Sequence, residues 1–215
     1  MKKIIIGYLS SGYVKTNCLI NFLYHFKKFK PGYPYRLVIC FKNLTKKEKK
    51  KRLKLIKDKK IEIFHDREKK NDHEWGTLKR LCELNKNSKI FWMNDHAYPI
   101  KKKWLKIIMR HYKGKRLLGT SGSCSSHYNN SFYRNKHDNY FELFFKIIYF
   151  FFTVPKFPNC HTRTNGFLIK SRDFLEFIKD KPIGSKLKSF LIESGYNSLT
   201  KFFLRKKYNI FIINR

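Results

Sequence analysis

An alternation of short, unbroken apolar runs with helix-length segments constrains the amino-terminal half of this chain more than any other feature. Lys3-Ile-Ile-Ile-Gly-Tyr-Leu9 shows no polar alternation, the pattern of a strand buried on both faces. Tyr35 to Phe41, Ile61 to Phe64 and Lys89 to Met93 repeat it. The stretches over 17–28, about 44–57 and about 74–84 between them suit helices. Strand, helix, strand, helix, strand in this order predicts right-handed crossovers within a parallel or mostly parallel sheet. Such a sheet binds ligands beyond the carboxyl ends of its strands.

Further along, Trp104 to Met109 suggests a helix and Arg116 to Thr120 another strand, and 121–140 is a polar loop with room for short helical pieces. Phe141 to Val154 is the most apolar stretch. It is short for a membrane span and contains Glu142 and Lys146, so the first expectation is a buried helix and the second a membrane-touching surface. Thr164 to Ile169 reads as a strand. Ser171 is placed to cap the following helix, with Asp173 in its first turn. Helices over about 185–192 and 197–206 precede a last strand, Asn209 to Ile213. With 215 residues, 42% of them hydrophobic, the chain can fill the core of a single α/β domain.

The formal net charge of +34 suits a polyanionic partner: nucleic acid, an anionic membrane face or a phosphorylated substrate. Much of it sits in two lysine-rich stretches, 45–60 and 99–116, so a general lysine bias of composition is an alternative source. Cys18, Cys40, Cys82, Cys124 and Cys160 are odd in number and widely spaced. No secretory leader precedes them, and they are expected to be reduced core thiols in a cytoplasmic protein.

The strand 89–93 runs directly into Asn94-Asp95-His96, which offers an amide oxygen, a carboxylate and an imidazole at the mouth of the sheet. Phosphate oxygens and waters would have to complete the shell of any divalent ion held there. The plain alternative is a strand-to-helix loop with Asp95 as a cap. Arg163-Thr164-Asn165-Gly166 joins a fixed cation and an amide to a glycine that permits close backbone approach. Glu193, before Ser194-Gly195, is a carboxylate able to act as a general base if it faces a cleft. Dinucleotide-binding, P-loop, nucleophile-elbow and zinc-protease motifs are absent.

Taken in order, two long stretches resemble a bacterial polysaccharide-associated group of GT-A class nucleotide-sugar glycosyltransferases. They are Phe157-Pro-Asn-Cys-His-Thr-Arg-Thr-Asn-Gly-Phe-Leu-Ile169 and Leu191-Ile-Glu-Ser-Gly-Tyr-Asn-Ser-Leu-Thr-Lys201. The resemblance implies a single GT-A-like, Rossmann-related domain with a nucleotide-binding half over 1–120. The acceptor-side half, over 121–215, is expected to be cut short. It implies Tyr8, Ser10 and Ser11 near the base or ribose, Glu74 and Gly76 in the segment Asp72 to Leu78, and Asn94 and Asp95 facing the diphosphate. Asn94-Asp95-His96 stands where the class carries its metal-binding D-x-D, so Asp95 and His96 are the implied ligands of Mn²⁺ or Mg²⁺. Glu193 falls at the place of the catalytic base, with Arg163 and Asn165 beside it.

The implied reaction transfers a sugar from a nucleoside-diphosphate sugar to a glycan or lipid-linked acceptor. Its implied place is the cytoplasmic face of a membrane, with contact to anionic lipid. Two other classes stay open. One is a degenerate relative that binds without turnover; the other is a basic nucleic-acid-binding protein, which explains the charge but not the two stretches.

Overall fold

The computed structural model describes residues 4–68, 71–131 and 139–213. Lys3, at the head of the first apolar run, and 132–138 of the polar loop lie outside them. In chain order the elements are β1 (Ile4–Ser11), α1 (Asn17–Lys28), β2 (Tyr35–Lys42), α2 (Lys46–Leu55), β3 (Glu62–Asp66), α3 (His73–Leu84), β4 (Lys89–Met93), α4 (Trp104–His111) and β5 (Arg116–Gly119). There follow β6 (Gly122–Ser123), α5 (His127–Ser131), α6 (Tyr140–Thr153), β7 (His161–Thr162), β8 (Gly166–Lys170), α7 (Ser171–Ile178), α8 (Lys186–Ser194), α9 (Leu199–Arg205) and β9 (Asn209–Ile212).

Seven strands form one sheet in the order β3-β2-β1-β4-β8-β5-β9. The expected mostly parallel sheet is therefore present: β1 runs parallel to β2 and β4, β2 to β3, and β5 to β9. Only β8 is reversed, antiparallel to both β4 and β5. Strand β1 explains why the apolar runs do not alternate. Ile5 and Leu9 enter a core that α3, α7, α8 and α9 cover, whereas Ile4, Ile6 and Tyr8 enter a second core beneath α1 and α4. Both faces are buried, so both sets of positions must be apolar. Gly7 lies on the α3 side; a Cβ there would stand 2.8 Å from Leu81 and 2.9 Å from Trp92, so its absence lets α3 lie close to the sheet.

Several local expectations are corrected. Ser171 does not cap α7; its N–H and hydroxyl both donate to the Ser88 carbonyl, tying the start of that helix to the loop before β4. The strand expected from Thr164 begins at Gly166, with β7 before it. Helix α6 is not buried: only Phe150 and Val154 of its apolar stretch are core residues, and a row of rings faces outward. Two cysteines are not free thiols. Cys124 and Cys160 form a disulfide that continues the antiparallel register of β6 and β7, Gly122 opposite Thr162 and Ser123 opposite His161. Such a bridge is at odds with a reducing compartment. Cys18, Cys40 and Cys82 remain free.

Candidate active site

The carboxyl ends of β1, β2 and β4, the loop entering β8 and the end of α8 meet at one edge of the sheet. Asp95 is nearly buried just beyond β4, and its Oδ2 accepts two bonds from Ser11, from the N–H at 3.1 Å and from the hydroxyl at 2.5 Å. The Asp95 carbonyl accepts from the Tyr8 hydroxyl at 2.8 Å. Asp95 thus clamps β4 to the end of β1 and does not serve as a helix cap. Asn94 shapes the turn, its Oδ1 accepting the His96 N–H, while its Nδ2 donates to Asn165 Oδ1 at 3.0 Å. Residues 71 positions apart therefore touch across the β4–β8 seam.

Glu193, in the last turn of α8, accepts the Thr164 N–H at 3.1 Å, which brings it to the same loop as Arg163 and Asn165. Burial raises its carboxyl above the ordinary range, against the Thr164 hydrogen bond and the nearby charges of His161 and Arg163. Glu74, in the first turn of α3, is pushed up to about 7. Burial is the main cause there, and the negative charges of Glu193 and Asp95 add to it. Three carboxylates from three segments therefore share one field. A cavity of about 190 Å³ opens beside two of them, Glu74 and Asp95, and is bordered also by Ser11, Lys42, Asn94 and His96.

The sequence-predicted residues divide into two groups. Ser11, Glu74, Asn94, Asp95 and His96 border the cavity; Asn165 reaches it through Asn94, and Arg163 and Glu193 belong to or bond the loop that carries Asn165. Tyr8, Ser10 and Gly76 lie behind it. The Tyr8 ring is fully buried and stacks on Phe22 with centroids 3.8 Å apart; burial, first, and the Asp95 charge raise its hydroxyl pKa strongly. Ser10 accepts from Arg52 Nη1 at 2.8 Å. At Gly76 a Cβ would fall 1.9 Å from Asp72 Oδ2, so the glycine leaves room for a carboxylate.

That carboxylate belongs to a network that the sequence does not announce. Lys42, at the end of β2, is buried with Nζ 2.5 Å from Asp72 Oδ1 and 3.3 Å from Asp66 Oδ2. Arg80 closes the ring on both carboxylates, at 2.6 Å to Asp66 and 2.7 Å to Asp72, and Thr77 donates to Asp66 at 2.6 Å. Burial alone would raise Asp66, but the Arg80 and Thr77 hydrogen bonds and the Lys42 charge hold it below the usual carboxylate value. Arg52, outside this network, is equally unannounced. It is placed in the basic helix α2, yet it turns inward and bonds Ser10 and the Val14 carbonyl, bracing the loop after β1.

A divalent-metal set does not follow from Asp95 and His96. Asp95 Oδ2 already takes both Ser11 donors, and the exposed His96 has Nδ1 3.7 Å from Cys18 Sγ. Among the described residues no group of three or more His, Cys, Asp or Glu side chains is arranged to hold a metal ion. Hard cations need several oxygens, so these residues fit such an ion poorly.

The raised Glu74 gives a direct test. Carbon-detected NMR should find its carboxyl midpoint near 7, and Glu193→Gln should lower that midpoint because one negative neighbour is gone. It should stay above 4.5, since burial is the larger cause. Because the folded pKa is raised, stability from this group is full below the unfolded value and is lost as pH rises through about 7. A midpoint at the ordinary glutamate value would remove Glu74 from the shared field.

No protein-family model matches the sequence, and no curated protein does. Among solved structures, the fold is similar to that of HddC from Yersinia pseudotuberculosis, with a TM-score of 0.50 and 12% identity over 97% of this chain and 90% of that one. It is likewise similar to 4-diphosphocytidyl-2C-methyl-D-erythritol synthase from Anaerococcus prevotii DSM 20548, with a TM-score of 0.52 and 9% identity over 99% and 87%. At such identities the likeness is one of fold. The chain shares the α/β fold of these two proteins, a mostly parallel sheet flanked by helices.

Proposed function

We propose that this chain is a glycosyltransferase that moves a sugar from a nucleoside-diphosphate sugar to a hydroxyl of a glycan or lipid-linked acceptor. The observation that carries the reading is a cavity bordered by Glu74 and Asp95 at the carboxyl edge of a mostly parallel sheet, with Glu193 near enough for its charge to act on Glu74. The two stretches that resemble the glycosyltransferase group supply Glu193 and the Arg163-Asn165 pair to that edge. In this reading residues 1–120 hold the donor and 121–215 the acceptor side. Tyr8, Ser10 and Gly76 act as positioning residues behind the donor.

The chemistry is a displacement at the anomeric carbon. Glu193, ionised, takes the proton from the acceptor hydroxyl as its oxygen forms the new glycosidic bond. The bond from the anomeric carbon to the diphosphate breaks, and its electron pair leaves with the nucleoside diphosphate. Arg163 and nearby lysines neutralise the charge that develops on that leaving group. Burial raises Glu193, which strengthens it as a base once it is ionised.

A second reading, a relative that binds a nucleotide sugar without turnover, is favoured by Asn94 and His96 on either side of Asp95, where the class has acids. Calorimetry against UDP-, GDP- and CDP-sugars, with and without Mn²⁺, tests both readings. The transferase reading expects binding to one donor and its consumption when acceptor is added; binding without consumption supports the second. Binding to none, beside strong salt-sensitive binding to RNA, overturns both.

A further inference from the structure

Helix α6 is apolar on two faces. Leu143, Ile147, Phe150 and Val154 follow a spacing of three to four residues on the inward side, where Phe150 and Val154 are buried. Phe141, Phe144, Phe145, Ile148, Phe151 and Phe152 repeat that spacing on the other side, and all six are exposed, Phe141 and Phe152 at 71% each. A helix hydrophobic all round ordinarily has both faces covered. A contiguous row of rings open to water marks an interaction surface.

We infer that the outer face of α6 docks on an anionic lipid bilayer. Charge decides the occupant. A basic side chain borders the rings: Lys156 lies over Tyr128 and Phe151, at 5.7 and 5.5 Å. Exposed Lys186 and Lys188 stand on α8, which is linked to the inward side of α6 through Phe190, His127 and buried Phe150. Rings with a lysine border suit the acyl boundary and headgroups of an acidic membrane. A second copy would bring another +34 chain to the same face, and the two would repel. Helix α6 is a surface element in this proposal, since among the described residues no helix is long and apolar enough to cross a membrane.

The docking face also adjoins the cleft. The Tyr196 N–H donates to the Thr153 carbonyl at 3.2 Å, joining the end of α6 to the turn that follows Glu193. On the transferase reading, on which this consequence alone rests, a lipid-linked acceptor would arrive on the Glu193 side. Vesicle binding needs no turnover, so failure of either idea leaves the other standing.

The test is sedimentation of the full chain with large unilamellar vesicles, either phosphatidylcholine alone or equal parts phosphatidylcholine and phosphatidylglycerol, at about 0.15 M salt. Wild type should bind the anionic vesicles, and the triple variant Phe141→Ser, Phe145→Ser, Phe152→Ser should bind at least ~10-fold more weakly with an unchanged melting point. In a separate Phe145→Trp protein the new indole should shift its emission to the blue on vesicle addition, because Trp75, Trp92 and Trp104 are buried and should respond little. This readout also stands if the triple variant fails to fold. Equal binding of wild type and triple variant, no binding at all, or an unmoved Phe145→Trp spectrum overturns the proposal. So does a wild-type dimer that the triple variant dissociates while vesicle binding is unchanged.

Discussion

Glu193→Gln should lower sugar transfer by roughly 10²–10⁴-fold, the range expected for loss of a general base, while donor affinity changes by no more than about twofold. Glutamine keeps an oxygen to accept the Thr164 N–H, so the loop of Arg163 and Asn165 should stay in place and only the proton acceptor disappears. Two further readouts separate a catalytic from a structural role. In wild type the rate should rise with pH as the raised Glu193 carboxyl ionises, and that limb should be missing in the variant. The Glu74 midpoint should fall in the same protein. Near-normal turnover with the pH limb intact would end the assignment of Glu193 as base.

Lys42→Met should destabilise the fold by roughly 3–5 kcal/mol, measured by urea unfolding. In the ring of Lys42, Arg80, Asp66 and Asp72, two positive and two negative charges balance. Removing Lys42 leaves an uncompensated carboxylate inside, which costs far more than losing a surface pair. Acid should weaken the wild type through the same ring. The folded Asp66 pKa is lowered, so its stabilisation is present above the unfolded value near 3.8 and is lost as pH falls through the folded value. A loss below about 1 kcal/mol would mean that water enters the ring and screens it.

Elements whose environment is written into local pattern were legible beforehand. The doubly buried strands β1, β2 and β4 show as unbroken apolar runs, and α1 has the bounds that its stretch suggests. Features that depend on distant partners were not. Arg52 sits among lysines that face water, and Lys42 ends a strand beside the same basic stretch; nothing local distinguishes the two that turn inward. Ser171 has the residue type of a cap, but the Ser88 carbonyl competes for its hydroxyl. Periodicity in α6 shows that the helix is apolar all round, yet it cannot tell which rings the rest of the chain covers. The pairing of Cys124 with Cys160 needs the β6–β7 register, which two-residue strands do not reveal. In the site, the strand ends pointed to Asp95 and the resemblance to Glu193. Their meeting depends on the reversal of β8.

That reversal also sets an order of events. β1 to β4 are close in sequence and pair through short crossovers, so they can associate while the remainder is still being synthesised. β4 then presents a bare edge, because its next neighbour is β8 and not β5. Residues 166–170 must arrive and insert between two strands made earlier before β5 and β9 can join the sheet. Since the Asn94–Asn165 and Thr164–Glu193 contacts lie at that insertion, this end of the sheet can close only after residues 163–193 have been made.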